Sequence, residues 1–292
     1  MKKFLLITFI ILTTYSCNDP SQAKKDVETW TEYDLSEPDR YSMPASLLEI
    51  SGIALDRENP DTFYAIEDED GKLYHFGWKD ETRKIYSKFW KGGDYEDLAI
   101  VRGIVYVLKS NGTIYSFNLI DANYAEVDSV AEWKGLAPPG EYEGMYGDEK
   151  EGNLYLLCKN CKGSKQTETV SGYVYKVEKP SEYLLPPVPI GSFELDVESI
   201  RPFSGNVKTG FRPSGFARHP ITHEWFVISG VNKLLVVAGS DWKVKSAFHL
   251  NGNVFNQPEG IAFDTQGNLY ISNEGDDITD GNILKFTYKP SR

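Results

Sequence analysis

Cysteine, methionine and histidine are the scarce residues of this 292-residue chain, at three, three and four copies. The cysteine pair in LLCKNCKG, Cys158 and Cys161, has no second pair or histidine partners for a zinc site, and Lys162 stands where haem attachment wants His. Cationic residues are also in deficit, 31 Lys and Arg against 43 Asp and Glu. That balance is poorly suited to nucleic acid. No helix-period run exceeds the N-terminal leader. The leader's apolar stretch, FLLITFIIL from Phe4 to Leu12, is too short for a comfortable membrane span. There is no nucleophile elbow, no phosphate-cradling glycine loop, and no Ser, His and Asp set that a fold would bring together. His219 and His223 fall in a Pro-containing turn, HPITHE, where a surface role is expected. His75 and His249 fall in predicted third and fourth strands, away from any centre.

Aromatic residues are plentiful instead, with 18 Tyr and 15 Phe, which suits half-buried pleated sheets. They recur in a fixed grammar, clearest in QPEGIAFDTQGNLYISNE from Gln257 to Glu274. An acidic or hydroxyl residue is followed by Gly or Asp, an apolar strand, a turn, and a second strand opening on an apolar-aromatic pair. The shared position falls at Ser51, Glu96, Glu143, Ser214 and Glu259, followed by Ile53, Leu98, Met145, Phe216 and Ile261. The second strands open at Phe63-Tyr64, Val105-Tyr106, Leu154-Tyr155, Trp225-Phe226 and Leu269-Tyr270. A period of about 45 residues with strand chemistry in each unit predicts an all-β, five-bladed β-propeller. In blade two, Asn111-Gly112 and Arg102-Gly103 mark tight hairpins, and the alternating AEVDSV supplies the outer strand. The interval from Glu143 to Ser214 is longer than the others, through a loop from Asn160 to Ser171 and an aperiodic insertion over 198–213. Insertions in repeat folds usually collect on one face, often the binding face.

The chain divides into a signal peptide over 1–16, a tether over 17–25, and the propeller over 26–292. Lys2-Lys3 and the apolar run lead to Cys17, as in a bacterial lipoprotein signal whose cysteine becomes the acylated first residue. Thr14 departs from the Leu that this pattern prefers, and an ordinary secretory signal is the other reading. Cleavage takes the net charge from −12 to about −14. Attachment to the membrane then rests on lipid, not charge. In an exported chain Cys158 and Cys161 are expected to form a local disulfide or remain a plain thiol pair. The alternating segment Asp26 to Leu35 is expected to supply the outermost strand of blade five, closing the ring with one strand from each chain end.

In a propeller the first strand of each blade is innermost, so Glu96, Glu143 and Glu259 converge at one channel mouth with Ser51 and Ser214. Converging carboxylates repel and raise one another's pKa unless a cation sits among them. A Ca²⁺ ion with oxygen ligands answers this. So would lysines from the second-strand ends, Lys109 with Glu96 and Lys159 with Glu143, leaving Glu259 to explain. The second-strand ends of blades one and five are acidic instead: Glu67 through Asp70, and Glu274 with Asp276, Asp277 and Asp280. These runs could extend the metal site or form a solvated rim. Neither is a complete calcium loop, since position twelve counted from Asp68 is Lys79.

The ordered set LEISGIALD, YEDLAIV, YEGMYGD, PSGFARHP and QPEGIAFDTQGNLYISNE resembles the SdiA-regulated family of bacterial exported proteins. The resemblance implies a five-bladed propeller distantly related to NHL-repeat propellers, with a bound calcium ion, and no established activity. The expected object is a monomeric, exported, lipid-anchored propeller of the bacterial cell envelope, the outer membrane being favoured. Glu96, Glu143, Glu259, Glu67 and Glu274 are its expected calcium ligands, and its loop face takes a protein or small-molecule ligand. The alternative is a calcium-dependent hydrolase of a small ester, lactone or phosphoester, with Glu259 or Glu143 as base. That alternative rests on fold-level analogy.

Overall fold

The computed structural model describes residues 32–56, 61–78, 85–161, 168–178, 183–204 and 210–290. The expected signal peptide, Cys17, the tether and residues 26–31 lie outside these residues. Strand β1 (Asp39–Ser42) precedes the first repeat. Blade one is β2 (Ile50–Leu55), β3 (Thr62–Glu67), β4 (Lys72–Gly77) and β5 (Ile85–Lys88). Blade two is β6 (Tyr95–Val101), β7 (Ile104–Lys109), β8 (Ile114–Asn118) and β9 (Ala131–Trp133). Blade three is β10 (Gly140–Asp148), β11 (Asn153–Cys161), β12 (Thr169–Lys176) and β13 (Val188–Asp196), followed by the single-turn helix α1 (Arg201–Ser204). Blade four is β14 (Gly215–Arg218), β15 (Trp225–Ser229), β16 (Leu234–Ala238) and β17 (Val244–His249). Blade five is β18 (Gln257–Phe263), β19 (Leu269–Glu274) and β20 (Asn282–Phe286), completed by β1.

Every sheet is four antiparallel strands in chain order, apart from the borrowed strand β1 on β20. The inner strands β2, β6, β10, β14 and β18 touch in succession, and β18 touches β2 again. The protein is thus a closed five-bladed propeller. Turn chemistry sets the hairpins: Arg102 and Gly103 both take positive φ, 56° and 73°, as a two-residue turn matched to strand twist requires.

Among the described residues the apolar core falls into five wedges, each shared by two neighbouring blades. Alternation within each strand sends one face to each wedge, so a blade is buried on both sides. Between blades three and four, Phe193 and Trp225 sandwich Trp242 at centroid distances of 3.7 and 4.4 Å. Each buried Phe or Leu contributes about 1.5 to 3 kcal/mol, so these wedges, and not the ladders inside each blade, hold the blades to one another.

Two expectations about strands need correction. The closing strand is β1, not Asp26–Leu35; residues 32–38 are described and lie outside any strand. Tyr41 of β1 enters the wedge between blades five and one, whereas Tyr33 drops into the wedge between blades four and five. Its hydroxyl donates to the Gly267 carbonyl at 2.6 Å. An alternating segment reads as a strand from sequence, but strand identity needs a free edge, and only the later segment reaches β20. In blade two the outer strand is β9, downstream of AEVDSV. Part of that segment crosses to blade one, where Lys88 N–H donates to Ala125 O and Val127 N–H to Lys88 O, both at 2.9 Å.

Candidate functional site

The shared position of the repeat lies where the inner strands begin, at one mouth of the channel. In four blades the ladder skips there: between Ile50 and Ile53, Tyr95 and Asp97, Tyr142 and Gly144, and Pro258 and Ile261. A bulge takes residues out of the ladder and re-aims their side chains. The released residues include Ser51, Glu96, Glu143 and Glu259. Ser214 stands just before β14.

The Gly that follows in four blades has a steric cause. A Cβ at Gly260 would stand 2.5 Å from the Ser51 carbonyl and one at Gly144 2.8 Å from Phe216, each on the next blade. Hydrogen bonds lock the same seams. The buried Asp97 carboxylate accepts from Leu98 N–H at 2.8 Å and, across the seam, Met145 N–H at 2.7 Å. Ser214 Oγ donates to Pro258 O and Ser272 Oγ to Ser51 O, both at 2.7 Å. The ring is therefore closed without help from Glu96, Glu143 or Glu259.

Of those three carboxylates, Glu143 pairs directly with an ammonium, whose charge also acts on Glu96 and Glu259. Lys159 Nζ lies 2.7 Å from Glu143 Oε1 and 3.5 Å from Glu141 Oε1. Burial opposes the charge on Lys159, yet its hydrogen bond to Glu143 and the charges of Glu143, Glu141 and Glu259 raise its pKa on balance. Lys159 also acts electrostatically on Glu96, Glu259 and Glu274. Lys109 does not take the part expected of it. Its ammonium lies over the Tyr95 ring, 5.6 Å from the centroid, and makes no ion pair with Glu96 among the described residues. Lys159 thus serves five carboxylates, Glu141, Glu143, Glu96, Glu259 and Glu274, and Lys233 adds its charge at Glu259.

Burial, then repulsion from Glu143 and Asp94, pushes Glu96 up to about 9. Glu259 is raised well above the usual carboxylate range by burial and by Glu274 and Glu143. Glu143 is raised by burial despite its hydrogen bond from Lys159. Glu274 is raised by burial, against a 2.7 Å hydrogen bond from Gln257 Nε2. An unpaired buried carboxylate is costly, and these groups answer by favouring the protonated form.

The acidic ends of blades one and five meet beside this group, where Gly275 N–H donates to Leu48 O at 2.8 Å. Ligand oxygens of Glu49, Glu67 and Asp68 all lie within 4.8 Å of one another. Burial, then Glu49 and Glu274, pushes Asp68 up to about 7. Its Oδ1 is buried with no hydrogen-bond partner. An all-oxygen donor set with an orphaned acceptor fits a hard divalent cation. Glu67 also caps its own turn, accepting from Glu69 and Asp70 N–H. Glu96, Glu143 and Glu259 interact through their charges but do not form such a compact trio among the described residues. Glu49, just ahead of β2, was not among the expected ligands; its sequence signal is an acidic residue two places before the shared position. Farther along the runs, Asp276 accepts from the N–H groups of Ile278 and Thr279, and Asp70 pairs with Lys72. Lys79 lies outside the described residues.

The expected surface role of the HPITHE histidines holds for His223 but not for His219, which is 1% exposed. Its Nδ1 accepts from Ile221 and Thr222 N–H at 3.1 Å, leaving Nε2 as the donor to Tyr33 at 2.8 Å. Burial pushes it down to about 4. His219 is a neutral turn cap. Cys158 and Cys161 form a disulfide at the end of β11, with Lys159 between them. The described part of the 198–213 insertion places α1 against β17, on the outer strand of blade four.

The SdiA-regulated family model matches residues 212–276, spanning β14 to β19 with PSGFARHP and QPEGIAFDTQGNLYISNE. No curated protein matches in sequence. Among solved structures, a luciferin-regenerating enzyme superposes with TM-score 0.51 at 12% identity, over 87% of this chain and 98% of that one. Regucalcin from Agrobacterium tumefaciens, described as a calcium-binding protein, superposes with TM-score 0.50 at 12% identity, over 88% and 95%. At that identity the likeness is one of fold.

Proposed function

We propose that the acidic mouth binds calcium, and that the protein is a monomeric, exported, lipid-anchored propeller that takes a ligand or protein partner at the cell envelope. The observation that carries this is the cost of the mouth. Glu96, Glu259, Glu274 and Asp68 are held above their ordinary pKa, Lys159 and Lys233 offset this only in part, and the seams of the ring are closed by other groups. Carboxylates that cost stability and close nothing are best accounted for by a cation they hold. Glu49, Glu67 and Asp68 would hold it, with Glu274 and Glu259 behind them. Bound calcium supplies positive charge and coordination positions for oxygen atoms of a partner. The family resemblance and the calcium-binding description of regucalcin point the same way.

The test is thermal unfolding with calcium and with a chelator, in the native chain and in Asp68→Asn and Glu259→Gln. A ligand at a hundred times its dissociation constant stabilises by about 2.7 kcal/mol, or roughly 5 to 10 °C for a domain of this size. Asp68→Asn should abolish that rise and Glu259→Gln reduce it. Equal midpoints with calcium and chelator would refute the site. The anchor is tested separately by envelope fractionation, where Cys17→Ala should move the protein from the membrane to the soluble fraction. An unchanged distribution sinks the lipid attachment.

A further inference from the structure

The inner strands end at the other mouth of the channel, roughly 13 Å from the carboxylates at about 3.3 Å per residue. There the blades leave a cavity of about 150 Å³. The apolar residues of the repeat, Ile53, Leu98, Met145 and Ile261, line it. So do small residues at the next positions, among them Ala54 and Ala217. The repeat reads Ile-Ala, Leu-Ala, Phe-Ala and Ile-Ala in four blades, and in blade three Met145-Tyr146 leads to Gly147. A leucine at the half-buried Ala54 would narrow the hollow. The hollow opens at the mouth, so a small molecule can reach it from outside.

The charges around this mouth are already committed. Asp264 accepts from Gln266 N–H at 2.9 Å, Asn268 N–H at 2.8 Å, Asn268 Nδ2 at 2.7 Å and the Tyr270 hydroxyl at 3.2 Å. Arg218 donates to the His223 carbonyl at 3.2 Å, faces Asp148 at 3.5 Å and lies over the Trp225 ring. Asp56 has a partner as well. The lining thus offers an apolar body and no uncommitted charge for a charged ligand.

We propose that this cavity is a second binding site, for a neutral apolar molecule the size of one aromatic ring. Size and lining both set the class: an apolar cavity of about 150 Å³ in another protein takes up benzene. The site does not depend on the calcium reading, because none of its lining residues belongs to the acidic mouth.

The chain offers its own reporter, because Met145 is one of only three methionines. With ¹³C-methyl methionine in the full chain, benzyl alcohol should shift the Met145 signal saturably and leave Met43 in place. Benzoate and benzylamine, of matched shape and opposite charge, should bind more weakly. Ala54→Leu, at a half-buried position, should weaken benzyl alcohol by about tenfold or more. Asp68→Asn, at the opposite mouth, should not change it. The proposal is overturned by no saturable shift at Met145, by equal binding in a folded Ala54→Leu, or by tighter binding of either charged probe. The Met145 signal in the native chain decides the matter even if Ala54→Leu does not fold.

Discussion

The two mouths of one channel are built from the same five strands and differ in almost every physical respect. At the starts of the strands, bulges release carboxylates into a confined space, and their pKa values climb. At the ends the ladders are regular, the side chains small or apolar, and the rim charges matched within the protein. One end is costly in charge, and the other leaves an apolar hollow open. Neither feature serves closure, which rests on the interblade wedges and the bonds of Asp97, Ser214 and Ser272. The difference teaches that a repeat can hold architecture constant in its middle while its two ends diverge in chemistry.

The contrast breaks most severely at Lys159. Removing one partner of a buried ion pair costs about 3 to 5 kcal/mol, so Lys159→Met should shift urea unfolding by that amount without calcium. Adding Glu143→Gln should recover much of the loss. A single variant as stable as the native chain would show that another charge neutralises the mouth.

Acid should separate the two ends by sign. His219, beyond the apolar mouth, has its folded pKa lowered to about 4. Its contribution is complete above the ordinary histidine value near 6.5 and is lost as pH falls toward 4, about 3 kcal/mol in all. Glu96 and Asp68 run the other way. Their folded values, about 9 and about 7, are raised, so they add stability as pH falls through those values toward the ordinary carboxylate range. Stability measured from pH 8 to pH 4 should flatten at its acid end in His219→Asn; an unaltered acid limb means the imidazole does not titrate in that window.

Asp97 lies between the mouths. Asp97→Ala strands the Leu98 and Met145 N–H groups and should cost about 2 kcal/mol in denaturant titration. Binding at either mouth should remain. Glu96→Gln has the smallest effect and the opposite direction. At neutral pH without metal it should stabilise by about 1 to 2 kcal/mol, and a loss in calorimetry would mean that the carboxylate is better solvated than its surroundings indicate.

The repeat made the blades legible because each unit carries its own punctuation: the Gly or Asp at the seam, the hairpin turn, the aromatic pair. The convergence of Glu96, Glu143 and Glu259 on one mouth follows from that equivalence. What the repeat could not tell was which equivalent lysine turns inward. Lys109 and Lys159 hold the same place in adjacent blades, but Lys109 rests on the Tyr95 ring while Lys159 is held by Glu143 and Glu141. Glu49 escaped notice because it precedes the repeat and meets Asp68 only when β2 pairs with β3. His219 looked like a turn residue and is one, buried because Tyr33 covers it from far away in sequence. The closing strand was misplaced for a similar reason, since two neighbouring stretches could have served and a distant edge selected between them.

The join between β1 and β20 also imposes an order of events. Asp39 pairs with Lys285, so the first described strand meets its partner only when nearly the whole chain has been made. Bringing distant ends together costs entropy that rises only with the logarithm of the span, but the search is slow. Blades one to four can form as the chain emerges, each from neighbouring residues, while the fifth must wait. Both mouths need all five inner strands, so neither can be complete before β18 has been made. Until β1 pairs with it, the outer edge of β20 is an open template for any passing strand. The final clasp therefore covers the last open edge of blade five and ends its exposure to aggregation.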